Sequence, residues 1–241
     1  MFGYSSERML GGHSPLDGTI EFYGRLNAFL EPHFVVLDLG AGRGAWFADG
    51  EASRYQRSLR LLKGKVAKVI GADVDDAVLS NASTDENVVV RDGRLPFADA
   101  SLDVVIADFV LEHLGEPRVI ESEVFRVLRP GGLFCARTPH SLNYVSLGAR
   151  LVRKARRNRV LKMAQPSRKE IDTFDTQYRC NTLRQIRHVW SPQRWASHSY
   201  LYTAEPSYDF GSRLVYRVLR ACHKLLPLPF VGNIFVFEVK R

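Results

Sequence analysis

The stretch Phe34-Val35-Val36-Leu37-Asp38-Leu39-Gly40-Ala41-Gly42-Arg43-Gly44 constrains the fold more than any other part of the chain. Phe34 to Leu39 is apolar without alternation, apart from Asp38, which is the pattern of a parallel strand covered on both faces. Three glycines at alternate positions then permit positive φ and close backbone approach. From Ala45 the composition is helical, so the loop is expected to enter a helix N-terminus whose free N–H groups can face a polar ligand. Asp38 is the odd residue, because a buried carboxylate without a partner is costly. Either it bonds the loop amides, or it faces a ligand amine, directly or through water. The adjacent glycines favour the ligand.

The spacing separates this loop from other nucleotide-binding loops. It is G-x-G-x-G, not G-x-G-x-x-G, and the next acidic strand end, Asp73, lies further off than a dinucleotide fold expects. No G-x-x-x-x-G-K-[ST] is present, which excludes a P-loop.

With 241 residues and 45% hydrophobic content, the chain can build one sizeable core. The net charge of +8 permits contact with nucleic acid, anionic lipid or acidic metabolites and selects none of them. Cys135, Cys180 and Cys222 are scattered, which gives neither a disulfide framework nor a zinc site and points to a reducing, cytoplasmic setting. Residues 1–15 lack the basic start and apolar run of a secretory signal, and no apolar run reaches the length of a membrane span.

Along the chain, residues 1–33 read as an N-terminal flap and a helix from Thr19 to Leu30. Strands are expected at 34–39, 67–73, 87–90, 103–107 and 133–138, with helices between them at 76–81 and from 116 or 117 to 128. Pro130-Gly131-Gly132 is expected to stop the last of these. Strands alternating with helices are the signature of a parallel α/β sheet. After Pro139 the pattern changes. Residues 141–165 look helical and basic, a strand is expected at 199–204, a helix at 212–226, and a last strand at 233–239. Residues 34–241 thus form one domain, with 141–198 a substrate-lid insertion.

In this order, the pieces resemble the class I S-adenosylmethionine-dependent methyltransferases, small-molecule branch, over about residues 34–140. The resemblance rests on Val36 to Gly44, the acid at Asp73, Asp92 before Leu95-Pro96-Phe97, Val110-Leu111-Glu112-His113-Leu114, and Leu128-Arg129-Pro130-Gly131-Gly132. It implies a Rossmann-like, seven-stranded, mostly parallel sheet with the last strand antiparallel and S-adenosylmethionine as cofactor. It further implies that Asp38, Gly40 and Gly42 meet the methionine part, Asp73 both ribose hydroxyls, Val74 the adenine ring, and Asp92 the adenine amine. A carboxylate, with two acceptor oxygens, suits a vicinal diol. The family fixes no general base; Asp108, His113 and His140 are the candidates near the transferred methyl, with His140 directly after strand five.

Departures from the family narrow the chemistry. Asp108-Phe109-Val110-Leu111 stands where an Asn-Pro-Pro-Tyr type motif would mark methylation of a base amine, and no carboxylate cluster suggests a metal. The segment 146–162 mixes apolar residues with arginines. It can be a solvated lid helix, a peripheral contact with an anionic membrane, or, less readily, an RNA guide. The expected function is methylation, at oxygen, of a small-molecule, glycan or lipid-linked acceptor. The alternatives are an RNA methyltransferase or a non-catalytic cofactor-binding module. The sequence sets no oligomeric state.

Overall fold

The computed structural model describes residues 10–48, 53–151, 175–206 and 212–241. Helix α1 (Gly18–Phe29) is capped by Asp17, whose carboxylate accepts from Thr19 and Ile20 amides. Strand β1 (Val35–Leu39) leads through the glycines into a four-residue helix, α2 (Ala45–Ala48), and α3 (Arg54–Arg60) follows. Then come β2 (Lys68–Asp73), a 3₁₀ turn at Asp76–Ser80, β3 (Glu86–Val89), β4 (Leu102–Asp108), α4 (Pro117–Val127) and β5 (Leu128–Pro139). The remainder is α5 (Tyr144–Leu151), α6 (Leu183–Val189), β6 (Trp195–Ser197), β7 (Tyr200–Tyr202), α7 (Arg213–Leu225), α8 (Leu228–Val231) and β8 (Asn233–Lys240).

The sheet order is β3-β2-β1-β4-β5-β8-β6, with β7 also paired to β8. Strands β1 to β5 are mutually parallel, and β8 runs antiparallel to β5. Strands β6 and β7 share one sheet position on the outer edge of β8, separated by His198 and Ser199; the His198 amide still donates to the Phe237 carbonyl. The mostly parallel sheet with an antiparallel late strand is the expected architecture.

Period-two alternation sends successive side chains to opposite faces. Leu37, Leu39, Val105, Phe134 and Ala136 pack with Val124, Val127, Ile186 and Trp190 on one face. Val36, Val104, Ile106, Cys135 and Phe235 pack with Phe22, Tyr23 and Leu26 of α1 on the other. This places Asp38, Asp108 and Arg137, each two residues beyond a member of the second set, on the α1 face at the carboxyl ends of neighbouring strands.

Three local expectations change. The segment 76–81 is a 3₁₀ turn of five residues, not an α-helix. Strand β5 begins at Leu128 rather than 133. Leu102 pairs with Leu128, and a bulge before the Val104–Leu133 pair absorbs Pro130-Gly131-Gly132. The expected strand at 199–204 is shorter, β7 at Tyr200–Tyr202, and β6 before it at Trp195–Ser197 was not expected. From the expected lid, Cys180, Ile186, Val189, Trp190 and Trp195 are buried in the main core, and Trp190 stacks on Phe134 with centroids 5.0 Å apart. Most of the basic segment 146–162 lies outside the described residues.

Candidate cofactor site at the carboxyl edge of the sheet

The loop after β1 is held by backbone and side chain together. Gly40 and Ala41 amides both donate to the Ala72 carbonyl, at 2.7 and 3.2 Å. Asn81 donates from Nδ2 to the carbonyls of Ala41 and Gly42. Gly40 has φ +76°, and a Cβ there would collide with Val110 Cγ2. Gly42, at φ +51°, faces open space within which a ligand can approach the backbone. The helix after the loop is a single turn, so loop amides and side chains, not a helix dipole, define the polar character of this end.

Asp73 ends β2 and is almost fully buried. Its Oδ2 accepts from the Gly42 amide at 2.9 Å and its Oδ1 from the Asp75 amide at 3.0 Å. A carboxylate has about four acceptor positions, so each oxygen retains one beyond these bonds. Val74 beside it is 64% exposed. Asp92 stands, exposed, at φ +55° before Gly93 at φ +67°, between the bridged residues Arg91 and Arg94. It sits at the tip of a tight turn.

Asp38 behaves differently. It is half-buried, and no described residue makes a hydrogen bond to its carboxylate. Burial raises its pKa to about 7; Arg60 opposes the shift, and Asp108 and Asp73 add to it. The Gly40 and Ala41 amides are spent on the Ala72 carbonyl and the Gly42 amide on Asp73.

Beside Asp38 lies a closed ionic network. Arg137 grips Asp108 with two bonds, Nε to Oδ1 at 2.5 Å and Nη2 to Oδ2 at 3.0 Å. Tyr23 donates its hydroxyl to Oδ2 at 3.1 Å, and Arg60 Nη2 lies 3.5 Å from the same oxygen. Burial acts to raise the Asp108 pKa, but Arg137, Arg60 and Tyr23 outweigh it and hold the carboxyl below the usual range. Burial, and then Asp108, push the Tyr23 phenol well above its ordinary value. Arg60 stacks on the Trp46 ring at 4.5 Å, while its buried Nε has no partner among the described residues. Sequence reasoning missed Tyr23, Arg60, Asn81 and Arg137, because none lies in a motif. A lone arginine inside the apolar strand Leu133 to Thr138 was the available signal that strand four's acid had a partner.

The three candidate bases are all engaged. Asp108 is ion-paired. His140 is buried; its Nδ1 accepts the Leu142 amide at 3.1 Å, and the Pro229 carbonyl bonds the ring as well. Burial lowers its pKa, so the ring is neutral at pH 7. His113 Nδ1 meets the Asp175 carbonyl at 2.9 Å. In the same segment Leu111 and Glu112 are buried, and Glu112 accepts from the Thr138 hydroxyl at 2.8 Å. Among the described residues no cluster of His, Cys, Asp and Glu could hold a metal.

This fold, with a glycine loop after β1 and an acid ending β2, defines an α/β nucleoside-binding protein. Residues 37–136 match the family model described as a methyltransferase domain, and this stretch of the chain is similar to the class I S-adenosylmethionine-dependent methyltransferases. Over 113 residues it is 37% identical to a Mycolicibacterium smegmatis protein whose name reads "probable S-adenosylmethionine-dependent methyltransferase". That match covers 45% of this chain and 39% of the relative. It is 34% identical over 118 residues to an arsenite methyltransferase of Halobacterium salinarum, covering 44% of this chain and 27% of the relative. The chain thus spans less than half the length of these relatives. In fold it is similar to a geranyl diphosphate C-methyltransferase of Streptomyces coelicolor, solved with S-adenosyl-L-homocysteine. The TM-score is 0.58 at 12% identity, with 92% of this chain and 77% of the other covered.

Proposed function

We propose that this protein is an enzyme that transfers the methyl group of S-adenosylmethionine to a small-molecule, glycan or lipid-linked acceptor, at oxygen. The observation that carries the reading is Asp38, a carboxylate with no hydrogen bond from any described residue, poised near neutrality beside the glycine loop. An α-ammonium is the group that such a carboxylate lacks. Gly40 and Gly42 leave room for the methionine part, Asp73 keeps acceptor positions for the ribose hydroxyls, Val74 offers an exposed apolar face to adenine, and Asp92 is the acceptor for its amine. The residues present therefore fit the cofactor.

When bound, the sulfonium supplies an electrophilic methyl group. The chain's own task is to hold the acceptor in line with it, which can lower a barrier by roughly 7–11 kcal/mol. Asp108 and Arg137 neutralise each other and wall the cleft; Tyr23 stays protonated. With His140 neutral and bonded on both sides, it orients the loop after β5, and alignment outweighs proton abstraction by Asp108, His113 or His140.

Titration calorimetry with S-adenosylmethionine and S-adenosyl-L-homocysteine tests binding. Tritiated-methyl transfer to fractionated extracts, with mass spectrometry of the labelled product, tests turnover. Tight binding with transfer to no fraction would replace the enzyme reading with that of a cofactor-binding module. Label on RNA alone would replace the acceptor class.

A further inference from the structure

Helix α7 turns its apolar side away from the protein. Tyr216 and His223 are its buried residues. Leu214, Val218 and Leu225, with Ala221 between them, recur at helical spacing on the opposite side. They are 72%, 54% and 84% exposed. A helix lying on a globular core normally shows water its polar side. The stripe continues into Leu226, Leu228 and Phe230, all exposed. Arg213, Arg217 and Lys224, also exposed, form a row along one flank of the stripe. From Ser212 to Gly232 the chain contains no Asp or Glu.

The position matters as much as the pattern. The Gly232 carbonyl, at the end of α8, accepts from the His140 amide at 3.4 Å and from Asn143 Nδ2 at 2.9 Å. The His223 ring meets Tyr144 edge-on, with centroids 5.6 Å apart. The exposed stripe is therefore anchored to the loop at the carboxyl end of β5, beside the cleft.

We propose that α7 and α8 dock the protein on an anionic lipid surface. An apolar face flanked by cations and free of acids is complementary to acyl chains below a negative headgroup layer. A second copy of the chain is a poorer occupant. Pairing the stripe with itself would bring the like charges of Arg217 and Lys224 on two copies together. Docking sets the loop at the carboxyl end of β5 near the lipid boundary and stands independently of the methyl-transfer reading.

The test is co-sedimentation of the full chain with vesicles of phosphatidylcholine mixed with phosphatidylglycerol, and of phosphatidylcholine alone. Binding to the anionic vesicles, weakened by salt, is expected. The triple variant Leu214→Glu, Val218→Glu, Leu225→Glu should lose at least about tenfold in affinity, as should Arg213→Gln, Arg217→Gln, Lys224→Gln. Circular dichroism checks the fold, and serine replaces glutamate at the three apolar positions if the first variant does not fold. No binding to anionic vesicles overturns the proposal. So does binding unchanged in the variants, which would place the contact elsewhere, as in 146–162. A dimer in sedimentation velocity that the apolar variants dissociate would assign the stripe to self-association instead.

Discussion

Asp38 titrates near neutrality, at about 7, because burial disfavours its charge more than Arg60 restores it. In an unfolded chain an aspartate titrates near 3.9. Between those values the folded protein holds a proton that the unfolded chain has lost, so this residue's contribution to stability falls as pH rises from about 4 to 7. Asp38→Asn should remove that slope and make the ligand-free protein more stable at pH 8, measured by urea unfolding across pH. Binding of an ammonium-bearing cofactor demands the ionised form. Calorimetric affinity for S-adenosylmethionine should therefore weaken below pH 7 in the native protein, and be weak and nearly pH-independent in the variant. Asp73→Ala should lose roughly 10–100-fold in cofactor affinity with the fold intact, one or two charge-assisted hydrogen bonds; unchanged affinity would remove it from the ribose site. Both acids were legible in the sequence because a carboxylate at the end of an apolar run demands an explanation. Arg60 was not, since only the packing of α3 over the sheet edge brings it to Asp38 and Trp46.

At the scale of elements, β1, β2, β4 and the core of β5 were readable because a strand buried on both faces has a continuous β-branched run. The edge of the sheet was read only in part, since β7 lies within the expected 199–204 and β6 was not expected. β6 and β7 are three residues each, too short to show a period, and they exist because β8 offers them an edge. The start of β5 was also hidden, because Pro130-Gly131-Gly132 reads as a terminator and acts here as a bulge. What joins α1, β4 and β5 is the Tyr23–Asp108–Arg137 network, and Asp108→Asn should reveal its strength. It leaves the buried Arg137 guanidinium without its counter-charge, for which about 3–5 kcal/mol of destabilisation is expected in urea unfolding. Tyr23→Phe removes one hydrogen bond to a charged group and should cost about 1.5–3 kcal/mol. At the β1 loop, Gly40→Ala should destabilise by more than about 1 kcal/mol and weaken cofactor binding, because the positive φ and the Val110 side chain both oppose a methyl group. An alanine protein with native stability and affinity would show that the loop has slack which the geometry denies it.

For the molecule as a whole, the element last in sequence is interior in the sheet. β8 lies between β5 and the β6–β7 edge, and Ile234, Phe235 and Val236 are fully buried, with Phe235 also closing the face under α1. Burying three such side chains contributes roughly 5–9 kcal/mol, comparable to the whole stability of a domain this size. Removing β8 would also leave β5 with an unpaired edge, and β6 and β7 with no strand to join. A chain ended at Gly232 should therefore fail to fold as a unit, even though residues 37–136, which carry the family match, would all be present. Near-ultraviolet circular dichroism is a direct reporter, because Trp190 stacks on Phe134 in the core next to β8. Loss of that signal, with aggregation on gel filtration, is the expected result. A soluble truncated protein with native aromatic signal and cofactor affinity would mean that the family core stands alone and that β8 is an accessory to it.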